Sequence, residues 1–465
     1  MTVSIQPLGA ARTVTGSRHL IEADGRRLLV DCGLYQERAL LGRNWSDFPV
    51  PPGSLAAVLL THAHLDHSGY LPRLVADGFH GPIFCTEATA AIVPVLLEDS
   101  ARLMQADAET KRRRHAREGR SGGSHGPARP LYGEAEVAKA LRRLRPVSFG
   151  ERTQVADDAF VTWLPAGHIL GASILLVEVA GKRLVFSGDL GRPDRPLVPD
   201  PALPPACDAL VVESTYGDRL HPTEVDVVGQ IQTVIGRTVA QGGKILIPTF
   251  AVERAQELIW HLDHLYERGI VPPVPVFLAS PMAVELLRIF DTHLDYLDEA
   301  TRARFRGGDS PFRFDHLKLC PTAEDSKAIN DLAGPAVIIA GSGMCNGGRI
   351  KHHLNQHIGD ADSCILFTGY QAEGTLGRQL VEGRERVRLF NRERQVAIRV
   401  EQIQGFSGHA DRDECLAWLG SWPEPPQQVI VVHGGEQVAP AFAALITERL
   451  GVPAHAPVYR ERMEV

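Results

Sequence analysis

Residues 61–67, with the sequence THAHLDH, hold three imidazoles and one carboxylate within six consecutive positions. Imidazole and carboxylate groups are ligands that zinc accepts in proteins. Neighbouring side chains leave the backbone in different directions, so these four cannot all point at one tetrahedral ion without strain. We therefore expect two metal ions, with His62 and His64 facing one and Asp66 and His67 facing the other. The alternative is a polar loop that is merely rich in histidine, which a lone His-x-His pair would not exclude.

The elements on either side of this segment would hold it in place. An apolar run at 55–60 is typical of a buried strand, and residues 70–75 have the pattern of a helix. Three further candidate ligands, His168, Asp189 and His433, also follow apolar strands and small residues. Each of these alone is more often a loop residue with an ordinary hydrogen bond. Together with residues 61–67 they favour one metal centre assembled at strand ends.

Composition limits the class of protein. A chain of 465 residues that is 44% hydrophobic and 23% charged is typical of a globular protein with two domains or more. The formal net charge of -7 argues against a basic surface for indiscriminate nucleic-acid binding, so a polyanion must be met locally. Seven cysteines without a C-x-x-C pair predict reduced thiols. Without a signal-peptide pattern or a membrane-length apolar run, we expect a cytoplasmic protein and no membrane partner.

The spacing of apolar residues divides the chain into three stretches. The first 190 residues read as short strands separated by turns, with a helical pattern at 134–144. Six prolines between positions 193 and 205 predict a stiff extended connection, because neither a helix nor a central strand tolerates them, and we expect a domain seam there. From 210 onward apolar strands alternate with amphipathic helices, which is typical of a parallel α/β sheet. Short strands return after 396.

The motifs of the first stretch resemble those of the metallo-β-lactamase fold. Asp31 in the sequence LVDCG resembles the first motif of that fold, and residues 61–67 resemble the second. His168 and Asp189 resemble the third and fourth motifs. The likeness implies a metal-dependent hydrolase.

Three later motifs narrow the resemblance to the β-CASP nucleases, which include the endonuclease subunit of the cleavage and polyadenylation specificity factor and bacterial relatives. Glu213 in VVESTYG is similar to motif A, His409 in FSGHAD to motif B, and His433 in HGGE to motif C. Segments that begin at positions 248, 341 and 369 also look like this family. The resemblance therefore extends along the whole chain.

The resemblance implies an αββα metallo-β-lactamase sandwich with an inserted parallel-sheet α/β domain, the β-CASP domain. The expected boundaries are 1–209 for the first part of the sandwich, 210–396 for the inserted domain and 397–465 for the C-terminal part of the sandwich. Single-stranded RNA would lie in a cleft between the two domains. A homodimer is possible, and the sequence leaves the oligomeric state undecided.

The resemblance also implies two Zn²⁺ ions per chain, for which Mn²⁺ could substitute. The ligand sets would be His62, His64 and His168 for one ion, Asp66, His67 and His433 for the other, and Asp189 as a bridge. Asp31 would orient a ligand histidine through the second nitrogen of its ring. The paired ions would activate a hydroxide nucleophile, with Asp66 beside it, and neutralise charge on the phosphoryl oxygens.

The leaving ribose oxygen needs a proton, because an alkoxide leaves poorly. The resemblance makes His409 the general acid and Glu213 the carboxylate that orients it and raises its pKa. Cleavage would then leave 5′-phosphate and 3′-hydroxyl ends. The alternative roles are a loop hydrogen bond for His409 and a structural carboxylate for Glu213.

Phosphate contacts are the least specific expectation. Ser342 and Gly343 lie in a glycine-rich loop after an apolar strand, which could hold an anion with its backbone N–H groups or could be a tight turn. Arg254 and Ser407 are the other expected phosphate contacts. A basic run at 111–120 could guide RNA, although such a run is more often a solvated helix end.

Two other classes of function remain open at this stage. A small-molecule hydrolase of (thio)esters would share the two-metal motif, but it would need neither the inserted domain nor Glu213 and His409. A catalytically silent scaffold is disfavoured by the complete set of ligand positions. A DNA-directed β-CASP nuclease is the weaker option, since a histidine at motif C resembles the RNA-directed members. The sequence leaves endonuclease and 5′ exonuclease action undecided.

Overall fold

The computed structural model describes residues 2–118, 128–222 and 226–465. These residues form two compact units, one of residues 1–220 with 408–465 and the other of residues 221–407. The basic run is described only in part: residues 111–114 lie on a helix, and positions 119–127 lie outside the described residues.

The strands of the described residues are short. They are β1 Val3–Pro7, β2 His19–Ala23, β3 Arg26–Val30, β4 Ala57–Leu59, β5 Ile83–Thr86, β6 Leu144–Val147, β7 Arg152–Ala156, β8 Ala159–Pro165, β9 Ser173–Val179, β10 Lys182–Phe186, β11 Ala209–Glu213, β12 Lys244–Pro248, β13 Val276–Leu278, β14 Leu317–Leu319, β15 Ala336–Ala340, β16 Cys364–Phe367, β17 Arg386–Leu389, β18 Arg392–Gln395, β19 Arg399–Gln402, β20 Gln428–Val432, β21 Ala454–His455 and β22 Met463–Glu464.

The α-helices range from one turn to more than eight. They are α1 Leu65–Ser68, α2 Leu71–Ala76, α3 Glu87–Glu118, α4 Glu134–Leu141, α5 Val227–Ala240, α6 Arg254–Glu267, α7 Pro281–Thr292, α8 Glu299–Arg306, α9 Ala323–Ala328, α10 Gly348–His357, α11 Leu376–Val381, α12 Arg412–Gly420 and α13 Val438–Leu450.

The first unit contains two seven-stranded sheets. The first has the order β22-β1-β2-β3-β4-β5-β6, antiparallel from β22 to β3 and parallel from β3 to β6. The second has the order β21-β20-β11-β10-β9-β8-β7, antiparallel from β7 to β10 and parallel from β10 to β21. Candidate residues follow the parallel strands β3, β4, β10 and β20, whereas His168 follows the antiparallel strand β8.

One apolar core joins the two sheets face to face. It takes alternate residues from the strands, such as Trp163 from β8, Leu175 and Val177 from β9, and Leu28 and Val30 from β3. This alternation is what a strand requires when one of its faces is buried. Trp163 also satisfies its ring N–H inside the core by donating to the carbonyl of Leu60, 3.0 Å away. The core therefore fixes the strand that precedes residues 61–67.

The second unit is built on one parallel sheet with the order β14-β13-β15-β12-β16-β19. Strands β12, β13, β15 and β16 are buried along their whole length, as strands covered by helices on both faces must be. A short antiparallel hairpin of β17 and β18 accompanies this sheet. The predicted alternation of strands and helices around a parallel sheet is thus present in this unit.

The division into units differs from the sequence boundaries at 209/210 and 396/397. Strand β11, expected in the inserted domain, pairs in parallel with β10 and β20 of the second sheet of the first unit. Strand β19, expected in the C-terminal part of the sandwich, pairs with β16 of the second unit. The expected seam at the prolines of 193–205 is wrong, because that segment connects β10 to β11 within one sheet.

All seven cysteines are free thiols, and six of them are buried. None of the helices in the described ranges is long and apolar enough to cross a membrane.

The core of the first unit makes a stability prediction. Leu175 is fully buried, so its replacement by alanine should lower the free energy of unfolding of this unit by about 2–5 kcal/mol through lost apolar burial and a residual cavity. Leu103, 63% exposed, is the matched control, for which we expect Leu103→Ala to change stability by less than about 0.5 kcal/mol. Urea denaturation followed by tryptophan fluorescence measures both, and equal effects would contradict the described core.

Candidate metal centre

The candidate residues gather where the strands of the first unit end. Residues 61–67 follow β4 and lead into α1, and Asp31 directly follows β3. Asp189 lies three residues after β10, and His433 directly follows β20. His168 lies in the loop between β8 and β9. The carboxyl ends of neighbouring parallel strands meet at one edge of a sheet, which explains why ligands far apart in sequence converge.

A first group of possible ligands consists of His62, His64, His168 and Asp189, whose ligand atoms all lie within 4.8 Å of one another. Nδ1 of His64 is 3.1 Å from Nε2 of His62 and 3.3 Å from Nε2 of His168. Oδ2 of Asp189 is 3.4 Å from Nε2 of His62 and 3.5 Å from Nε2 of His168. Three nitrogens and one oxygen therefore surround a single point.

A second group consists of Asp66, His67 and His433, again with ligand atoms within 4.8 Å of one another. Nε2 of His433 lies 3.1 Å from Nε2 of His67 and 3.5 Å from Oδ2 of Asp66. Oδ1 of Asp189 lies 3.2 Å from Nε2 of His67 and 3.6 Å from Nε2 of His433. Asp189 thus turns one oxygen toward each group.

The donor atoms fit divalent metal ions. Asp189 is buried, and its Oδ1 accepts no hydrogen bond from the residues that the structure describes. Imidazole nitrogens that face each other at 3.1 Å cannot satisfy one another when both carry a proton or when both carry a lone pair. A cation between such nitrogens and a carboxylate satisfies all of them, which is the chemistry of a tetrahedral nitrogen and oxygen site.

In four of the candidate ligand histidines, Nδ1, the ring nitrogen that points away from the ligand groups, is held by a hydrogen bond. Nδ1 of His67 lies 2.7 Å from Oδ2 of Asp31, and Nδ1 of His168 lies 2.9 Å from the carbonyl of Gly408. The hydroxyl of Thr61 lies 3.0 Å from Nδ1 of His62. The hydroxyl of Thr215 lies 3.0 Å from Nδ1 of His433. Such contacts orient each ring so that Nε2 faces the group.

Asp31 occupies the place of an orienting residue. Beyond His67, its carboxylate accepts from the backbone N–H of Thr61 at 2.8 Å and from the hydroxyl of Ser17 at 3.2 Å. Asp31 and His433 both adopt positive φ, at 59° and 51°, a conformation that is uncommon for residues other than glycine. Strained backbone of this kind persists where surrounding contacts hold it, and it is frequent at functional sites.

Burial and charge divide the imidazoles into two classes. Burial lowers the pKa of His64 to about 3, and burial is also the main cause of the lowered pKa of His62 and His168. Burial acts in the same direction on His67 and His433, but nearby carboxylates, Asp189 foremost, outweigh it and raise the pKa of both. The first group therefore offers neutral imidazoles, which is the form that binds metal.

His409 and Glu213 form a pair beside these groups. Nδ1 of His409 lies 3.0 and 3.2 Å from the two oxygens of Glu213, and 4.0 Å from Oδ2 of Asp189. Burial lowers the pKa of His409, but the charge of Glu213, its hydrogen bond and the more distant carboxylates raise it overall to about 9. The imidazole is thus protonated at neutral pH, as a proton donor must be.

Glu213 is itself fixed in place. Its Oε1 accepts from the backbone N–H of Leu190 at 2.6 Å, and its Oε2 accepts from that of Thr215 at 3.2 Å. The loop of His409 leads into α12, whose first turn is capped by Asp411. The side chain of Asp411 accepts from the backbone N–H of Glu414 at 2.9 Å, and the carboxylate of Glu414 accepts from the backbone N–H of Asp411 at 2.8 Å. Both members of the pair are held by local structure.

Arg18 was not anticipated from the sequence. Its guanidinium is buried against three aromatic rings, with the ring of Tyr70 centred 4.0 Å away, and it donates to the carbonyl of Gly33 at 2.9 and 2.6 Å. The segment of Gly33 is joined to the helix of two ligands, because the N–H of Cys32 donates to the carbonyl of His67 at 2.6 Å. Arg18 therefore stabilises the backbone that carries Asp66 and His67 of the second group, and we call this contact the brace. No spacing pattern in the sequence predicts this role.

Gly33 completes this brace. A Cβ atom at position 33 would lie 1.5 Å from the carbonyl oxygen of Asp66, so only glycine allows the two segments to approach. The N–H of Ser17 donates to the same carbonyl at 2.8 Å, and the N–H of Gly33 donates to the carbonyl of Ser17 at 2.9 Å. The backbone segments of Ser17, Gly33 and Asp66 are thus in direct contact.

The expected phosphate contacts lie apart from these ligands in the chain. In the second unit, Arg254 donates to the carbonyl of Thr368 at 2.6 Å, and the Cα of Gly343 faces the ring of Phe250 closely. The hydroxyl of Ser342 accepts from the N–H of Gly347 at 3.4 Å, and Ser407 directly precedes Gly408 in the chain. Their phosphate role stays a prediction.

Three family models match successive parts of the chain. The metallo-β-lactamase superfamily model matches residues 14–225, the β-CASP domain model matches 255–380, and the model of a Zn-dependent metallo-hydrolase RNA specificity domain matches 393–457. A curated protein from Thermus thermophilus, named as a ribonuclease, is 40% identical over 446 residues, which are 96% of either chain.

The chain belongs to the β-CASP nucleases of the metallo-β-lactamase superfamily.

This β-CASP nuclease is also similar to archaeal proteins named transcription termination factor FttA. The protein from Methanocaldococcus jannaschii is 30% identical and covers 100% of this chain and 72% of its own length. The protein from Pyrococcus abyssi is 32% identical and covers 98% of this chain and 70% of its own length. A crystal structure of a protein of unknown function from Enterococcus faecalis shares the fold, with a TM-score of 0.54 at 14% identity and full coverage of both chains. The predicted fold class and family are confirmed.

The brace behind the second group makes a metal-binding prediction. Arg18→Met leaves the carbonyl of Gly33 without its donor and loosens the segment that carries Asp66 and His67, so we expect the affinity of the second group for Zn²⁺, used as the probe ion, to fall by about 10- to 100-fold. Arg18→Lys, which keeps the positive charge, should lower this metal affinity less than Arg18→Met does.

Competition with a chelating indicator measures zinc affinity in this experiment. Arg449, an exposed arginine on α13, provides the control variant Arg449→Met. A folded Arg18→Met protein that binds zinc as tightly as the unaltered chain would contradict the brace.

Proposed function

We propose that this β-CASP nuclease is a metal-dependent ribonuclease that hydrolyses phosphodiester bonds of single-stranded RNA with two zinc ions. The proposal is supported by the two ligand groups that share Asp189 and by the ribonuclease name of the Thermus thermophilus relative. A cytoplasmic location and Mn²⁺ as a substitute metal belong to the same proposal.

The pair of His409 and Glu213 is the observation that carries the nuclease assignment. A small-molecule hydrolase could use the metal ligands alone, but the partly buried imidazole of His409, with a raised pKa and 4.0 Å from the shared Asp189, adds a proton donor beside them. Phosphodiester cleavage needs such a donor, because the leaving ribose oxygen must be protonated as its bond to phosphorus breaks.

Each side chain has a defined task in the proposed reaction. His62, His64 and His168 would hold one ion, and the three residues of the second group would hold the other, with Asp189 between them. When bound, paired ions lower the pKa of water and neutralise charge that develops on the phosphoryl oxygens. Asp31 and the threonine hydroxyls keep the rings aimed.

His409 would give its proton to the 3′ oxygen of the departing nucleotide, so that the products carry 5′-phosphate and 3′-hydroxyl ends. Glu213 is a positioning residue: it holds Nδ1 of His409 and keeps the ring protonated until the bond breaks. Its own hydrogen bonds to two backbone N–H groups prevent it from turning away.

Removing the proton donor tests this assignment. We expect His409→Gln to lower the rate constant of RNA cleavage by at least about 100-fold, and Glu213→Gln to lower it as well, while neither changes zinc content. His455, which lies 2.8 Å from Glu461 on the surface, supplies the matched control His455→Gln with an unchanged rate. Single-turnover cleavage of end-labelled RNA measures all three, and full activity of His409→Gln would remove it from the acid role.

Metal removal and substrate choice separate the alternatives. We expect dialysis against a chelator to remove about two zinc ions per chain and to abolish RNA cleavage, and added Zn²⁺ or Mn²⁺ to restore it. Matched single-stranded RNA, single-stranded DNA and a thioester are offered to the same preparation. Thioester turnover without RNA cleavage would favour a small-molecule hydrolase, and preferential DNA cleavage would favour the DNA-directed alternative.

A further inference from the structure

A basic cavity lies in the first unit, outside the candidate metal centre. It measures about 750 Å³ and is lined by His80 and by four basic side chains, which are Lys139, Arg142, Arg143 and Arg145. No carboxylate of the described residues forms an ion pair with any of the four. In a chain of net charge -7, this is a local concentration of positive charge without compensation.

The cavity is built at the amino ends of parallel strands. The backbone N–H of Ile83 in β5 donates to the carbonyl of Arg143 at 2.9 Å, and the N–H of Val58 in β4 donates to that of Pro82 at 3.0 Å. A Cβ atom on Gly81 would lie 2.5 Å from the carbonyl of Ala56, so glycine lets this wall close against β4. The cavity is therefore a consequence of the sheet, and its walls are set by backbone contacts.

Two of the arginines are held in position by main-chain carbonyls. Arg143 donates from Nη1 to the carbonyl of His80, while its Nε is buried and donates to no described residue. Arg145 donates from Nη1 to the carbonyl of Leu144 at 2.8 Å. Each guanidinium has five N–H groups, so these contacts leave several of them for a ligand.

Compensation of helix dipoles does not explain the whole cluster. Lys139 and Arg142 lie at the carboxyl end of α4, where a cation is favourable by about 0.3–1 kcal/mol. Arg145, however, lies on β6, where it pairs with Phe84 of β5. Val75, Pro82 and Phe84 add an apolar wall, which suits the sugar or base that accompanies a phosphate.

We propose that this cavity binds phosphate groups of single-stranded RNA at a distance from the bond that is cut. The inference rests on the proposed ribonuclease function. Arginine guanidinium groups match phosphate oxygens in geometry as well as charge. The seven residues from Ala56 to His62, which include β4, run from the cavity wall to the metal ligands, and the six steps between them correspond to about 20 Å of extended chain. An RNA strand long enough to cover this distance would be held at both places.

Binding without cleavage tests the proposal. A fluorescent single-stranded RNA of about 20 nucleotides is titrated in chelator with the full chain and with the double variant Arg142→Ser/Arg145→Ser. We expect about a tenfold weaker affinity in the variant, and a slope of log affinity against log salt that is smaller by about 1.4, because two phosphate contacts are lost. Arg449→Ser, an exposed arginine outside the cavity, is the matched control and should bind as the unaltered chain does.

Adenosine triphosphate is titrated in parallel to separate the two sources of phosphate. Loss of affinity for RNA in the double variant, with unchanged zinc content and thermal midpoint, supports the RNA site. Equal RNA affinity in the double variant and the unaltered chain overturns it, and so does loss of adenosine triphosphate binding alone. Because no cleavage is measured, failure of the ribonuclease proposal itself would appear separately, as RNA binding without metal-dependent cleavage.

Discussion

The structure depends on one buried carboxylate that two groups of imidazoles share. Asp189 turns Oδ2 toward His62 and His168 and Oδ1 toward His67 and His433, at distances of 3.2–3.6 Å. It follows β10 in the second sheet, whereas residues 61–67 follow β4 in the first sheet. The sandwich must therefore bring the ends of strands from two sheets together within the reach of one side chain. Face-to-face packing about 10 Å thick, filled by the alternating core residues, provides that fixed separation.

The same arrangement would be costly without positive charge. Asp31 and Asp189 are buried, and an unpaired buried carboxylate loses most of its hydration. Protonated imidazoles can supply the charge, which is why nearby carboxylates raise the pKa of His67 and His433 against the effect of burial. Divalent ions can supply it at the same atoms. Protons and metal ions therefore compete for one set of nitrogens, and metal binding must release protons from the second group more than from the first, whose imidazoles are already neutral.

The sequence predicted the parts of this architecture that have local signals. The parallel α/β unit, the strand before residues 61–67 and the convergence of ligands follow from apolar spacing and from motifs. Long-range pairing has no such signal: the prolines of 193–205 predicted a seam, but β11 returns to the same sheet beside β10. Helix α3 was anticipated only at its basic end, and the rest was missed because its first turns are apolar all round, with Pro94 inside. Arg18 was missed because its role lies in contacts with backbone and aromatic rings far along the chain.

A chain with excess negative charge can still act on a polyanion if its positive groups are concentrated. The parallel strands β4, β5 and β6 have two ends with different chemistry: the segment after β4 carries metal ligands, whereas at the other end Arg142 and Arg143 precede β6 and Arg145 lies on it. Metal ions add positive charge only where the ligands are, so the reacting phosphate is met without a basic surface around it. Neighbouring phosphates are screened from those ions beyond about 8 Å of solvent at physiological salt. A second cluster of cations on the same sheet would act on the part of the RNA that the metals cannot influence, and would bias binding toward longer strands.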